Sequence, residues 1–306
     1  MGLVTAGLVP AVLPPAQNSA LFRSDVSLVH VDTEVLDGRG RPVTGLNKTN
    51  FRILDEGHQE AIATLSGGEQ PLDLILLIDI SRSMRGKVAE IAAASGAALA
   101  ELHGGDRVSV LVFNTNCRVV SPFTADPQST RQALHAVLSL SFRGGTAIRN
   151  AVSVAADQFA HVDDRKEQRR RAVLAVTDNF GIPGRSETSV IESLSEADAI
   201  LSGLIVSNRA ANMSPFALLG IKKLGGIEGI ADRIGGDLIY SDELSTSLPE
   251  AIRRLRSRYS LYYRLPPAAP GRDRSIRVEL SGEAAQRFPG AQIRARKRYK
   301  VQAAAN

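Results

Sequence analysis

The sequence predicts an α/β fold, a doubly wound and mostly parallel β-sheet, with a small β-sandwich built from N- and C-terminal strands. Apolar runs alternate with helix-periodic segments from Leu72 to Arg258, a pattern typical of a parallel sheet covered on both faces. The flanking segments alternate with a period of two residues, as half-buried strands do. A hydrophobic content of 43% and a charged content of 23% fit a globular chain of 306 residues.

The sequence N-terminal to Leu72 predicts three strands and no helix. Residues 24–35 place Val29, Val31, Thr33 and Val35 on one face. Further strands are predicted to start at Phe51 and to span residues 62–65.

Within the central region, strands and helices alternate. The predicted strands cover residues 72–79, 108–113, 117–120, 172–177, 200–206 and 238–240. The predicted helices cover residues 88–102, 127–138, 146–159, 190–194, 227–234 and 244–255. Asp126 before Pro127 is a typical helix N-cap, and Gly235 is expected to end a helix.

The last flank predicts strands over residues 275–280 and 293–301. Because a two-stranded hairpin alone is marginal in water, we expect residues 22–65 and 274–301 to form one composite β-sandwich, with the α/β domain inserted between them. The predicted division is a leader remnant at 1–21, N-terminal strands at 22–70, the α/β domain at 71–265, and C-terminal strands at 266–306.

Basic residues concentrate near the C-terminus, where residues 251–306 carry 14 Lys and Arg against 3 Asp and Glu. Such a tail can favour nucleic acid or an anionic membrane. The alternative is the solvent face of a strand, because Arg294, Arg296, Arg298 and Lys300 alternate with apolar residues. The absence of Trp disfavours a stacking platform for single strands, and we predict no nucleic-acid partner.

A second group of arginines, at 169–171, follows Asp163, Asp164 and Glu167 in the sequence. This mixture of signs predicts an ordinary solvated connection at the edge opposite the candidate site described below. We therefore expect no nucleic-acid patch there.

Residues 1–20 are apolar and small but lack the positive start of a complete signal peptide. They resemble the surviving core of a signal or a leader, so we expect export to the periplasm, the cell surface or the medium. A cytoplasmic location is the alternative. The single cysteine, Cys117, excludes an internal disulfide, and no spanning helix is predicted inside the folded region.

Oxygen-bearing side chains follow several of the predicted strands or open the next helix. Because such loops meet at the carboxyl edge of a doubly wound sheet, we expect these side chains to gather at one place. The candidate metal ligands are Asp79, Ser81, Ser83, Thr146 and Asp178. Hydroxyl and carboxylate oxygens suit Mg²⁺, Mn²⁺ or Ca²⁺. Helix capping is the alternative for the two serines and for Asp178.

These residues resemble the metal-ion-dependent adhesion site of von Willebrand factor A (VWA) domains, over Leu72 to about Tyr263. The resemblance implies a Rossmann-like fold in which the serines and the threonine coordinate the ion directly and the aspartates act largely through water. It also implies that a partner protein supplies the last ligand, a carboxylate. Neutral hydroxyl ligands leave the ion electron-poor, which favours an acidic outside ligand. The sequence departs from the family at Asn179, usually glycine, and at Arg149-Asn150, usually an aromatic-acidic pair.

The flanks are similar to the acidobacterial VWA-related domain family. The matching segments are residues 35–46, 51–57, 230–236 and 259–263. This second resemblance implies kinship and export.

The sequence therefore predicts a metal-ion-dependent protein-binding or adhesion module that captures an acidic group through a bound cation. The alternative is a scaffold or assembly subunit of an envelope, chelatase-type or secretion-type complex. No enzyme is expected, because the five histidines are scattered and no nucleophile has a base beside it. Asp79 follows a strand as in haloacid dehalogenase phosphatases, but Ser81 stands where those enzymes have a second aspartate.

Overall fold

The computed structural model describes residues 27–162, 168–207 and 225–301, which form an α/β domain and a β-sandwich. The fold class predicted from the sequence is confirmed. The predicted leader at 1–21 and the acidic residues Asp163, Asp164 and Glu167 lie outside the described residues. Within the described ranges, no helix combines the length and apolar content needed to cross a membrane.

The strands and helices are numbered in chain order. The strands are β1 (Leu28–Leu36), β2 (Phe51–Asp55), β3 (His58–Glu60), β4 (Ile62–Ser66), β5 (Leu72–Asp79), β6 (Arg107–Phe113), β7 (Cys117–Thr124), β8 (Arg170–Thr177), β9 (Ala199–Ile205), β10 (Leu238–Tyr240), β11 (Tyr259–Arg264), β12 (Asp273–Leu280), β13 (Gln292–Ala295) and β14 (Arg298–Lys300). The helices are α1 (Arg85–Leu99), α2 (Pro127–Val137), α3 (Ile148–Gln158), α4 (Glu187–Glu196), α5 (Glu228–Ile234), α6 (Leu244–Arg256) and α7 (Gly282–Arg287). Helix α7 and strand β3 have no counterpart in the sequence prediction.

The central sheet has the strand order β10-β9-β8-β5-β6-β7 and is parallel except for β7. Every residue of β5 is buried, because helices cover both faces of the sheet. Leu76 and Ile78 face the core shared with α1, α2 and α6, whereas Ile75 and Leu77 face the core shared with α3, α4 and α5. Asp126 caps α2 as predicted, accepting from the backbone of Gln128 and Ser129.

The β-sandwich consists of two four-stranded sheets, each of which combines N- and C-terminal strands. Their orders are β13-β1-β11-β4 and β14-β12-β2-β3. Val31 and Leu261 from the first sheet share one buried core with Ile53 and Val278 from the second. The two ends of the chain thus supply the core that neither end has alone.

Strand β11 belongs to the sandwich, which differs from the predicted domain division at residue 265. It pairs antiparallel with β1 on one side and β4 on the other. Leu261 and Tyr263 are fully buried in the sandwich core, and the Tyr263 hydroxyl donates to Asp55 at 2.8 Å. The inserted α/β domain therefore ends with α6.

The single strand predicted over residues 293–301 is wrong, because the chain divides there into β13 and β14, which lie in different sheets. The alternating basic residues of this segment were also predicted to form one solvent-exposed face, and only part of that prediction is correct. Arg298 and Lys300 are exposed, but Arg294 is ion-paired with Asp237 and Arg296 with Asp198. The physical reason is that the α/β domain presents carboxylates to this turn.

The α/β domain and the sandwich meet at a buried carboxylate, that of Asp32 in β1. Arg170 at the start of β8 donates to it at 2.8 Å, and Arg258 donates to its other oxygen. Burial opposes ionisation of Asp32, but the two guanidinium charges outweigh burial and hold the pKa of Asp32 below its usual value.

Arg170 is only 1% exposed, so the solvated connection predicted for residues 169–171 is wrong. Arg169 is also paired, donating to Asp73 at 2.9 Å.

Replacing Asp32 by Asn should lower the free energy of unfolding by about 3–5 kcal/mol, because Arg170 and Arg258 would be left buried without their counter-ion. Urea unfolding measures this loss. Glu279→Gln is the matched control, because it breaks an exposed pair with Arg52 between β2 and β12. The control should cost at most about 1 kcal/mol. Equal losses in the two variants would contradict the role assigned to Asp32.

Deleting residues 266–306 should unfold the N-terminal strands while the α/β domain stays folded. The deletion removes β12, the neighbour of β2, and β13, the neighbour of β1, together with part of the sandwich core. Hydrogen exchange should show loss of amide protection in β1 and β2, with protection retained in β5 and β8. Unchanged protection in β1 would refute the composite sandwich.

Candidate metal centre

Three loops at the carboxyl edge of the central sheet carry the candidate ligands. The first follows β5, the second leads into α3, and the third follows β8. Backbone hydrogen bonds join them to their neighbours: the N–H of Ile80 donates to the carbonyl of Phe113 at 2.7 Å, and that of Ala147 donates to the carbonyl of Asn114 at 2.8 Å. The loops are thus fixed to the sheet from which they emerge.

The first loop brings together Asp79, Ser81 and Ser83. Asp79 is the last residue of β5 and has no exposed surface (0%). The N–H of Ser81 donates to Asp79 Oδ1 at 2.8 Å, and the hydroxyls of Ser81 and Ser83 lie 3.1 Å apart. Neither the short 3-10 helix Arg82–Met84 nor α1 has a side-chain cap bond. The capping alternative for the two serines is therefore wrong.

The third loop contributes Asp178 and a residue missed by the sequence prediction, Thr177. The Thr177 hydroxyl donates to Asp79 Oδ2 at 2.7 Å, so it orients the buried carboxylate. Asp178 is buried, and its Oδ1 accepts from the N–H of Phe180 at 3.1 Å, which shapes the turn. Helix α4 is capped by Ser186, so Asp178 stabilises the turn after β8 and is not the cap of α4. The sequence signal for Thr177 is a hydroxyl at the end of an otherwise apolar strand.

The second loop holds Thr146 just before α3. Thr146 is buried, and its carbonyl accepts from the N–H of Ile182 at 2.9 Å, which ties the second loop to the third. Gly144 has a φ of 84°, in the left-handed region that favours glycine. Thr146 is thus joined to the centre through its backbone, whereas Asp79, Ser81 and Ser83 are joined by direct contacts.

The electrostatics of the centre are set by the Asp79 carboxylate. Burial raises its pKa to about 6 and the nearby charge of Asp178 adds to the rise, although hydrogen bonds from Thr177 and Ser81 oppose it. Among the side chains of the described ranges, no Lys, Arg or His forms an ion pair with Asp79. A cation at this position would compensate the ionised carboxylate.

The donor set fits a small, hard divalent cation. Adjacent oxygens of an octahedral Mg²⁺ at about 2.1 Å are separated by about 3.0 Å, and the two serine hydroxyls are 3.1 Å apart. Asp79 Oδ1 accepts from the N–H of Ser81 and Oδ2 accepts from the Thr177 hydroxyl, and the carboxylate has further lone pairs for water or metal. In the described ranges there is no cluster of three or more His, Cys, Asp or Glu that could hold a metal ion.

The two departures from the VWA pattern have structural explanations. Asn179 has a φ of 56°, the left-handed conformation in which glycine is common, and its side-chain oxygen accepts from the N–H of Ile227 at 3.1 Å. Arg149 donates to the carbonyl of Gly226 and pairs with Glu187 at 2.7 Å. The charge of Arg149 is therefore balanced by α4.

A doubly wound α/β domain with an oxygen-lined centre at its carboxyl edge is the class that this geometry defines. Residues 74–181 match the von Willebrand factor type A domain family. The matched residues run from β5 through the loop after β8, so this part of the α/β domain is similar to VWA domains.

Several solved structures resemble the chain. An aerotolerance-related membrane protein from Bacteroides fragilis is 20% identical, with 60% of this chain and 98% of that chain covered and a TM-score of 0.46. BatB from Bacteroides thetaiotaomicron is 21% identical, with 60% of this chain and 97% of that chain covered and a TM-score of 0.44. A von Willebrand factor type A protein from Catenulispora acidiphila is 15% identical, with 92% of this chain and 74% of that chain covered and a TM-score of 0.47. No curated protein matches the sequence.

Asn179→Ala should be less stable than Asn179→Gly by about 1 kcal/mol. Both variants lose the hydrogen bond to Ile227, but only alanine keeps a Cβ in the left-handed region. Urea unfolding of the two variants isolates the conformational cost. An alanine variant as stable as the glycine variant would show that this backbone conformation carries no strain.

Proposed function

We propose that the VWA domain is a metal-ion-dependent protein-binding module that captures an acidic group of a partner through a divalent cation. Ser81, Ser83 and Thr146 would hold Mg²⁺, Mn²⁺ or Ca²⁺ directly, and Asp79 and Asp178 would act around it largely through water. The bound ion would supply an electron-poor centre for an outside carboxylate. The residues of this chain orient the ligand oxygens and screen the Asp79 carboxylate from solvent.

The observation that carries the proposal is the buried carboxylate of Asp79 beside two serine hydroxyls that cap no helix start. An ionised carboxylate without a counter-charge is costly in a buried site. Ser81 directly precedes the 3-10 helix Arg82–Met84 and Ser83 lies within it, but neither hydroxyl makes a capping hydrogen bond. Together these features support a cation-binding role better than a structural one.

A binding role is favoured over catalysis because the centre offers no base beside a nucleophile. Thr177 and Ser81 donate to Asp79, which positions it as an acceptor rather than as an attacking group. We also propose export, on the strength of the apolar composition of residues 1–20.

The first test is a thermal melt with excess Mg²⁺ and with chelator. At about a hundredfold excess over the dissociation constant, binding to the native state should add about 2.7 kcal/mol of stability. Ser83→Ala should reduce the difference in stability between the Mg²⁺ and chelator melts, and Asp79→Asn should abolish it. Ser141→Ala, which removes another exposed hydroxyl from the second loop, should leave it unchanged. Identical melts of the wild type, without a calorimetric signal, would exclude the metal site.

The second test is capture of partners from an envelope fraction with Mg²⁺ and with chelator. Partners lost in chelator and lost with Ser83→Ala are expected for the proposed module. Partners retained in chelator would favour the scaffold alternative, in which binding does not pass through the ion.

A further inference from the structure

We infer that the partner segment is a strongly acidic stretch of protein, with several carboxylates grouped around an aliphatic side chain. The inference rests on the proposed function and adds the chemistry of the partner. It comes from the surface around the metal centre, where basic and apolar side chains are exposed together.

Four exposed arginines lie on or directly beside the three loops of the centre, and we call them the arginine rim. The rim consists of Arg82, Arg85, Arg143 and Arg185. Arg82 lies between Ser81 and Ser83, Arg85 starts α1, and Arg143 directly precedes the glycines that lead to Thr146. Arg185 follows the Asp178 loop, where its N–H donates to the side chain of Asn150 at 2.9 Å.

The rim arginines make no ion pair with any carboxylate in the described parts of the chain. Neighbouring cations behave differently, since Lys87 pairs with Glu90 at 3.0 Å and Arg149 pairs with Glu187. The rim charges are thus available to an outside anion.

The local charge balance is positive. Segments 79–86, 141–147 and 178–187 contain the four rim arginines and three carboxylates, those of Asp79, Asp178 and Glu187. Glu187 is already paired with Arg149. A single partner carboxylate at the ion would leave the rim unmatched, so further carboxylates beside it give charge complementarity.

An exposed aliphatic side chain completes the surface. Ile182 is 39% exposed, and its N–H donates to the carbonyl of Thr146. A Cβ added to Gly145 would lie 3.1 Å from Ile182 Cγ2, so the isoleucine covers this glycine beside the centre. Protein interfaces combine arginine with apolar contacts in this way.

The same surface is a poor match for nucleic acid. The aromatic residues of the three segments are Phe142, which is buried, and Phe180, which is half-buried. Stacking on exposed aromatics is the usual way to hold unpaired bases. An acidic protein segment uses both the arginines and Ile182, whereas a phosphate backbone uses only the arginines.

The test measures binding of two labelled peptides by fluorescence anisotropy in Mg²⁺. Both contain a central Asp-Leu pair; in one it is flanked by glutamates, in the other by glutamines. The wild-type protein should bind the glutamate peptide at least about tenfold more tightly, and the preference should shrink between about 50 mM and about 200 mM NaCl. Ile182→Ser should weaken both peptides by similar factors.

The rim variant combines Arg82→Gln, Arg143→Gln and Arg185→Gln, three of the four rim arginines, and keeps Arg85 at the start of α1. Its affinities for the two peptides should lie within about twofold of each other. Its thermal stabilisation by Mg²⁺ should equal that of the wild type. The control carries Arg264→Gln, Arg272→Gln and Arg298→Gln, three exposed positions of the sandwich region with the same change in charge. The control should keep the full preference for the glutamate peptide.

The outcomes separate the partner inference from the metal site. Equal binding of the two peptides by the wild type, or no binding of the glutamate peptide, overturns the inference while an Mg²⁺ shift still supports the site. A preference retained by the rim variant also overturns it. Displacement of the peptide by an oligonucleotide of equal charge, at equal concentration, would assign the rim to nucleic acid instead. Loss of the Mg²⁺ shift in the wild type counts against the proposed function, whichever peptide binds.

Discussion

The buried carboxylate of Asp32 is the interaction on which the arrangement of the whole molecule depends. It accepts from Arg170, at the start of the central strand β8, and from Arg258, just before the sandwich strand β11. Arg170 also donates to the carbonyl of Arg258 at 2.8 Å. Two charged arginines and one carboxylate therefore share a site without solvent, where their pairing must offset the desolvation of all three.

This buried network also shows that the candidate metal centre and the sandwich lie at opposite ends of strand β8. Arg170 lies at the amino end of β8, and Thr177 and Asp178 lie at its carboxyl end. The same strand thus anchors the sandwich at one end and orients Asp79 at the other. A single rigid strand connects the two regions, and its eight residues are mostly buried.

The α/β elements could be predicted from sequence because parallel strands covered on both faces leave continuous apolar runs, as β5 does. The ionic contacts could not be predicted in this way. Arg170, Arg294 and Arg296 look like solvated charges in sequence, and only the fold shows which carboxylates face them. Strand β11 pairs with sandwich strands although its apolar pattern suits either sheet, so the sequence pattern does not determine its domain.

The candidate centre was predictable to the level of its loops but not of its details. The positions of Asp79, Ser81 and Ser83 after a buried strand were sufficient to place them together. The role of Thr177 was hidden because it ends a buried strand and belongs to no motif read from the sequence. That the serines cap no helix depends on hydrogen bonds that sequence spacing leaves open.

The insertion of one domain into another has a consequence for synthesis. Strand β1 ends at Leu36, and its partner β11 begins at Tyr259, about 220 residues later. At about 5–20 residues per second, the first strands would wait on the order of 10–40 s for their partners to leave the ribosome. During that interval the apolar face of β1 and β2 is uncovered and their edges are open to pairing with other chains. The nascent chain is therefore vulnerable to aggregation throughout the synthesis of the inserted domain, until β11 and the strands after it have been made.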